Sequence, residues 1–401
     1  MDPRLFSSDA AGKLITVGQG DTAYWAFIPN PLPPDIPPDW SLTCALSLAD
    51  RALSELAGLG RTLANPKLFI HPFLRREAVL SSRIEGTRSE LIDLYIYRGG
   101  QLTLPGIQPA PPEDDDLREV DNYVRALDQG IAQLEDTPIR LWVLRGLHKT
   151  LLDGVRGQYA TPGQFRTSQN WIGGSTINNA IYVPPPVIEL EPALLDLERY
   201  FCGDANTQQE AHAHVEYPPL VKLAMIHYQF EAIHPFVDGN GRIGRLLLSL
   251  LLVSWKLLPL PLLHLSAYIE PHRQEYYELL LAVSQKGAWY EWLAFFMRAV
   301  TSQAQDTIAR IKRIQDLQQD WHTRLLEARA SSSAIRLADS LLKEPIITIP
   351  VAQKSLNMTY TAVERAVSRL IELGILAPQD DRRYDRTFIA RDLIEIILKP
   401  T

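Results

Sequence analysis

Cysteine is nearly absent: the 401 residues hold two, Cys44 and Cys202. That excludes a disulfide framework, and neither sits in a Cys-x-x-Cys pair or near a metal-ligand spacing. Both are expected to be buried structural thiols. Basic charge is not in excess either. There are 40 Lys and Arg against 47 Asp and Glu, a net charge of −7. No chain-wide positive field therefore draws the protein to nucleic acid or anionic lipid. The start, Met1-Asp2-Pro3-Arg4, lacks the basic stretch and apolar run of a secretory leader. Uninterrupted apolar runs are missing too. Leu246 to Leu265 approaches the ~20 residues of a membrane span, but Lys256, Pro259 and Pro261 break it. It reads as a buried helix followed by a turn. A cytoplasmic protein with no membrane partner is expected. Apolar residues are 46% and charged residues 22%, an ordinary globular balance. At about 150 residues per domain the length favours two to three domains.

Proline marks the first boundary. Asn30 to Pro38 carries five prolines, which fix φ and remove donors, so residues 1–38 read as an extended arm. Helical spacing begins after Asp39, with Trp40, Leu42, Leu46, Ala49, Leu53 and Leu56 on one face. A second helix is expected to start at Pro72, a favourable first position, and to run to Gly86. Thr87-Arg88-Ser89-Glu90 reads as a capping box opening a third. These helices make a domain over 39–109. Pro105 to Asp116 is a solvated acidic loop leading into a largely helical core, 110–303. Within it, Phe165-Arg166-Thr167 and Ala180 to Val183 are short extended runs separated by Gly173-Gly174 and Asn178-Asn179. They suggest an irregular hairpin. A charged helix over 304–330 links the core to 331–401. There, three helices and a hairpin tipped by Asp380 to Arg383 suggest a winged helix-turn-helix. The fold class is mainly α.

The chemistry concentrates in His234-Pro235-Phe236-Val237-Asp238-Gly239-Asn240-Gly241-Arg242-Ile243-Gly244-Arg245. Gly239 and Gly241 let the backbone turn its N–H groups toward an anion. The helix that follows adds free donors and a positive dipole end. Arg242 and Arg245 are three apart and project from nearly one face, and guanidinium suits phosphate. Asp238 can share a Mg²⁺ with phosphates, and His234 can take a proton near neutral pH. A polar loop between core helices is the plain alternative. Base, metal carboxylate and anion cradle in twelve residues point instead to nucleotidyl or phosphoryl transfer.

This stretch resembles the Fic family signature H-x-F-x-[DE]-G-N-G-R-x-x-R at every fixed position. The resemblance implies a helical core in which AMP passes from ATP to a Ser, Thr or Tyr hydroxyl of a protein, releasing pyrophosphate. It makes His234 the base, Phe236 a loop anchor and Asp238 the Mg²⁺ ligand. ATP binding falls to Gly239, Asn240, Gly241, Arg242, Ile243, Gly244 and Arg245, with Arg245 on the γ-phosphate. The 163–186 hairpin becomes a flap that holds the target by backbone pairing, and Tyr277, rather than Tyr276, the adenine contact. Ser81, Glu85 and Gly86 resemble the family's inhibitory helix, [ST]-x-x-x-E-[GN], in which Glu85 would pair with Arg245 and displace the γ-phosphate.

Elsewhere the signals are weak. His212-Ala213-His214-Val215-Glu216 reads as surface loop rather than metal site. The tail has Arg365 and Arg369 on its presumed recognition helix but almost no net charge, thin support for phosphate neutralisation. Besides a hydroxyl-bearing protein target, the partners it admits are duplex DNA and a second copy of the chain. The competing functions are a nucleotide-sensing DNA-binding regulator and an enzyme that also removes AMP.

Overall fold

The computed structural model describes residues 1–63, 65–99, 114–134, 137–155, 160–203, 216–379 and 386–399. His212, His214 and the charged tip at Asp380 to Arg383 lie outside the described residues, as do most of the acidic loop and the boundary at 109/110.

The chain opens with a finding that the proline-rich reading obscured. Gly12–Val17 (β1) and Tyr24–Pro29 (β2) pair antiparallel in full register. The proline run that follows lacks regular structure, as do residues 6–11. The Leu14 to Val17 and Tyr24 to Ile28 runs flanking a Gly-Gln-Gly turn carried the strand signal. The hairpin docks on the core: Phe27 is fully buried and its N–H donates to Val183 O at 2.9 Å.

The first two helices are α1 (Trp40–Thr62), which Asp39 caps through Leu42 N, and α2 (Pro66–Ile84). Helix α2 begins at Pro66, six residues before the proline expected to start it, and carries Pro72 in its interior. Two prolines competed for the same role, and the earlier one fills it. Helix α3 (Leu91–Gly99) follows. The expected capping box does not form. The Asp93 carboxylate accepts from Glu90 N, and Thr87 Oγ1 donates to Glu119 Oε2 instead.

The core is built from α4 (Asp115–Gln133), α5 (Leu141–Leu151), α6 (Val187–Cys202), α7 (Pro219–Ile233) and α8 (Asn240–Ser254). Helices α7 and α8 are buried on nearly every side, as a helix apolar all round requires. They are the central layer, and the loop between them carries the signature. Two shorter helices, α9 (Ser266–Ile269) and α10 (Arg273–Lys286), lead to α11 (Trp289–Glu327), a continuous 39-residue helix. It passes through position 303 without a break and packs along α1. No helix among the described residues is long and apolar enough to cross a membrane.

Beyond α11 come α12 (Ser332–Leu341), β3 (Ile346–Thr348), α13 (Ile349–Leu356), α14 (Tyr360–Glu372), β4 (Ala377–Pro378), β5 (Thr387–Ile389) and α15 (Arg391–Leu398). The sheet order is β3-β5-β4, antiparallel throughout. On α14, Arg369 turns back onto its own body, donating to Ala328 O at 2.7 Å and Glu372 Oε2 at 2.7 Å.

Two further expectations change. Cys44 is exposed and Cys202 half-buried rather than both buried. The 163–186 segment holds a single antiparallel bridge, Ile172 to Tyr182, rather than two paired strands. Left-handed glycines at 173 and 174 and a 3₁₀ turn at Ile177–Asn179 fill the space between.

Candidate active site

The signature loop is pinned at both ends by left-handed residues: His234 (φ +50°) ends α7 and Gly239 (φ +79°) precedes α8. A non-glycine residue there is uncommon and needs surrounding structure to hold it. Arg166 supplies that. Its backbone N–H donates to Pro235 O at 2.9 Å and its Nε to His234 O at 3.0 Å. The same guanidinium donates to Pro185 O at 2.5 Å, tying the return of the flap to the loop. Arg166 is 1% exposed. Its charge is held by carbonyls, and burial pushes its pKa down to about 10.

Below the loop, the fully buried Phe236 ring stacks on His148 at 3.8 Å. His148 accepts at Nδ1 from Gly163 N (2.9 Å), so its Nε2–H donates to Asp238 O (3.0 Å). Burial, which pushes its pKa down to about 4, keeps the ring neutral. Asn240 closes the loop from within, its Oδ1 accepting from Phe236 N at 2.8 Å and its Nδ2 donating to Phe236 O at 2.9 Å. Its side chain is therefore spent as a brace. Of the anion contact expected from Asn240, only the backbone is left to serve.

His234 Nδ1 lies 3.2 Å from Glu231 O. A carbonyl can only accept, so the proton sits on Nδ1 and the Nε2 lone pair is free. Burial pushes the His234 pKa down to about 4, which leaves a neutral imidazole at pH 7. His234, Gly241, Arg245, Tyr277 and Glu85 line one cavity of about 620 Å³, roofed by Trp171, Ile172 and Ile181 of the flap. Tyr277 is 43% exposed, whereas Tyr276 is buried with its hydroxyl 2.8 Å from His227 Nε2. Of the two tyrosines, 277 is the one free to meet a ligand face.

Arg245 is 2% exposed. Its Nε donates to Ser81 Oγ (2.8 Å), and its Nη2 to Ser81 O (2.9 Å) and Glu85 Oε1 (2.7 Å). Burial alone would raise the Glu85 pKa, but the Arg245 guanidinium outweighs it and the net shift is down. The same pairing drives Arg245 upward against its own burial. Ser81 and Glu85 meet Arg245 because Ser81 lies in the last turn of α2 and Glu85, four residues on, caps that helix on the same side. Gly86 (φ +104°) then turns the chain away. A Cβ at Gly241 would overlap the Glu85 carboxylate in its present place.

Eight expected site residues stand apart from the cavity lining, namely Ser81, Gly86, Asp238, Gly239, Asn240, Arg242, Ile243 and Gly244, and Ile243, expected at the nucleotide, is fully buried in the core. Asp238 is half-exposed, its Oδ1 accepting from Gly239 N at 2.7 Å and its Oδ2 lying 3.7 Å from Arg242. Arg242 is buried and donates to Glu119 Oε2 at 3.1 Å. Glu119, Arg166, His148 and Glu231 were not anticipated. A solvent-facing carboxylate at the mouth of an anion cradle fits a Mg²⁺ shared with phosphates, for which one protein ligand is enough.

The chain matches the Fic/DOC family N-terminal domain over residues 43–132 and the Fic/DOC family domain over 138–252. Together these span about half of its length. It is 29% identical over 144 residues to the protein adenylyltransferase Fic of Drosophila melanogaster, and 32% identical over 123 residues to that of Aedes aegypti. Those alignments cover 35% and 31% of this chain, and 25% and 20% of the relatives, so the chain spans a quarter or less of the curated relatives' length. The crystal structure of a Fic family protein from Desulfovibrio desulfuricans G20 superposes with a TM-score of 0.52 at 17% identity, over 90% of this chain and 98% of that one. That likeness concerns the fold. With two adjoining family domains matched and every fixed signature position filled, the chain belongs to the Fic/DOC family.

Proposed function

We propose that this chain is a protein adenylyltransferase that transfers AMP from ATP to a Ser, Thr or Tyr hydroxyl, restrained by its own Glu85. The observation that carries the reading is a neutral His234 with a free Nε2 beside the Gly239–Arg245 cradle, on the wall of a cavity that also holds Tyr277.

In this reading the hydroxyl oxygen attacks the α-phosphorus as its proton passes to His234 Nε2. The bond from the α-phosphorus to the bridging oxygen breaks and pyrophosphate leaves. The Gly241 amide and the α8 dipole stabilise charge on the α-phosphate, while the Gly239 amide orients the Asp238 carboxylate. Asp238 would hold Mg²⁺, which neutralises the phosphates as a Lewis acid. Arg245 takes the γ-phosphate once Glu85 leaves it. Arg242, shared with Glu119, adds positive charge beside Asp238. The target segment pairs with the flap backbone near Ile172 and Ile181.

The test is His234→Ala in the full chain with labelled ATP. The base acts on the nucleophile alone, so AMP transfer is expected to vanish while ATP still binds. Undiminished transfer by that variant would overturn the assignment.

A further inference from the structure

Glu231 lies one turn before His234 on α7 and lines the same cavity. Its Oε1 atom is sealed from solvent and has no hydrogen-bond partner. The Nη1 of Arg245 is in the same condition. Position 244 between them is a glycine, and any Cβ there would overlap Glu231 Oε1. The missing side chain is what lets the carboxyl approach α8 next to Arg245. A carboxyl and a guanidinium, each with an orphaned atom, thus share a wall of the cavity without meeting.

Every bond that Arg245 makes to Ser81 or Glu85 belongs to α2. Glu77 also feels the Arg245 charge, but it too sits on α2, and its carboxylate accepts from Ser266 and Tyr123. A buried guanidinium cannot be left without a counter-charge at small cost. When Glu85 is withdrawn, Glu231 is the nearby carboxyl that stays with the core.

We propose that Glu231 is a positioning residue that takes over Arg245 when Glu85 withdraws, and so aims the guanidinium at the terminal phosphate of a nucleoside triphosphate. The inference rests on the nucleotide-site reading above and deepens it. The groups facing Glu231 are Arg245 from α8, Glu85 from α2, Tyr276 and Tyr277 from α10, and His227 and His234 on α7 itself. Burial, with Glu85 adding to it against the pull of Arg245, pushes the Glu231 pKa up to about 8. The carboxyl is therefore mainly protonated while Glu85 is in place. Removing the Glu85 charge favours its ionisation at the moment Arg245 needs a partner.

The test uses the full chain carrying Glu85→Gly, with Mg²⁺, and measures affinity for ATP and for ADP by calorimetry. Adding Glu231→Gln is expected to lower the ATP-to-ADP affinity ratio at least tenfold, because only ATP carries the phosphate that Arg245 would meet. An unchanged ratio overturns the proposal, and so does an equal loss for both nucleotides, which would mark a merely structural role. Should the Gln variant fail to fold, Glu231→Asp, which keeps the charge one methylene short, is expected to lower the ratio by a smaller factor. An unchanged ratio there overturns the proposal as well. If Glu85→Gly alone binds neither nucleotide, it is the nucleotide-site reading that fails, and this inference falls with it.

Discussion

Replacing Glu85 by glycine is expected to move activity and stability in opposite directions. A phosphate oxygen placed on Arg245 would stand about 4 Å from the Glu85 carboxylate, where like charges repel by about 4 kcal/mol at an effective dielectric near 20. The Glu85 side chain is 33% exposed, so solvent screening cuts this to about 2 kcal/mol. That is about 30-fold in productive nucleotide placement. Any realignment of the α-phosphate adds to it, since ~1 Å of misplacement can cost on the order of a hundredfold. The assay is auto-modification with labelled ATP and Mg²⁺, expected to rise at least 30-fold. Meanwhile Arg245 loses its carboxylate but keeps both Ser81 bonds. The variant is then expected to lose about 1–2 kcal/mol of stability in urea unfolding. Glu85→Gln separates charge from backbone effects. It keeps the side-chain volume and is expected to activate as well. Flat or falling modification in the glycine variant would refute the inhibitory reading. A silent Gln variant beside an active Gly variant would show that helix release matters rather than charge.

Three further outcomes are expected. The His234 pKa is pushed down to about 4, so the initial rate of a Glu85→Gly, Glu231→Gln double variant, in which position 231 cannot titrate, should hold from pH 8 to pH 5 and fall only below that; an acid limb near 6.5 would contradict a buried neutral base. Asp238→Ala should abolish both activity and its Mg²⁺ dependence, and an unchanged metal titration would count against the ligand role. Burial pushes His148 and His234 down to about 4 and His227 and His264 to about 3. The native state thus favours neutral rings, and stability is lost as pH falls below the ordinary histidine value of about 6.5. The urea midpoint should drop from pH 7 to pH 5.

The sequence made the reacting loop legible because its residue types are each chemically specific and adjacent. Glu85 was legible only because Ser81 and Gly86 framed it. What stayed hidden acts across long separations. Arg166 clamps the carbonyls of His234 and Pro185, and no periodicity announces a guanidinium that binds backbone oxygen. His148 looks like one more polar residue on an amphipathic helix until Phe236 stacks on it. Glu231 reads as a helix-surface acid, since its burial comes from α8 and α10 closing over it. The hairpin at 12–29 carried its own alternation, masked by the prolines behind it. Asn240 shows the reverse: its place in the loop is plain from the sequence, but its side chain braces Phe236 rather than facing the cavity.

Helix α2 has a second set of attachments away from the cavity. The buried Arg75 guanidinium pairs with Glu344, between α12 and β3, and Arg76 pairs with Asp306 on α11. Arg75 and Glu85 are ten residues apart, about 15 Å along a helix rising 1.5 Å per residue. A helix of that length resists compression, so its two ends travel as one. The carboxylate that occupies Arg245 therefore sits at the end of a helix whose earlier turns are fastened to Glu344 and Asp306.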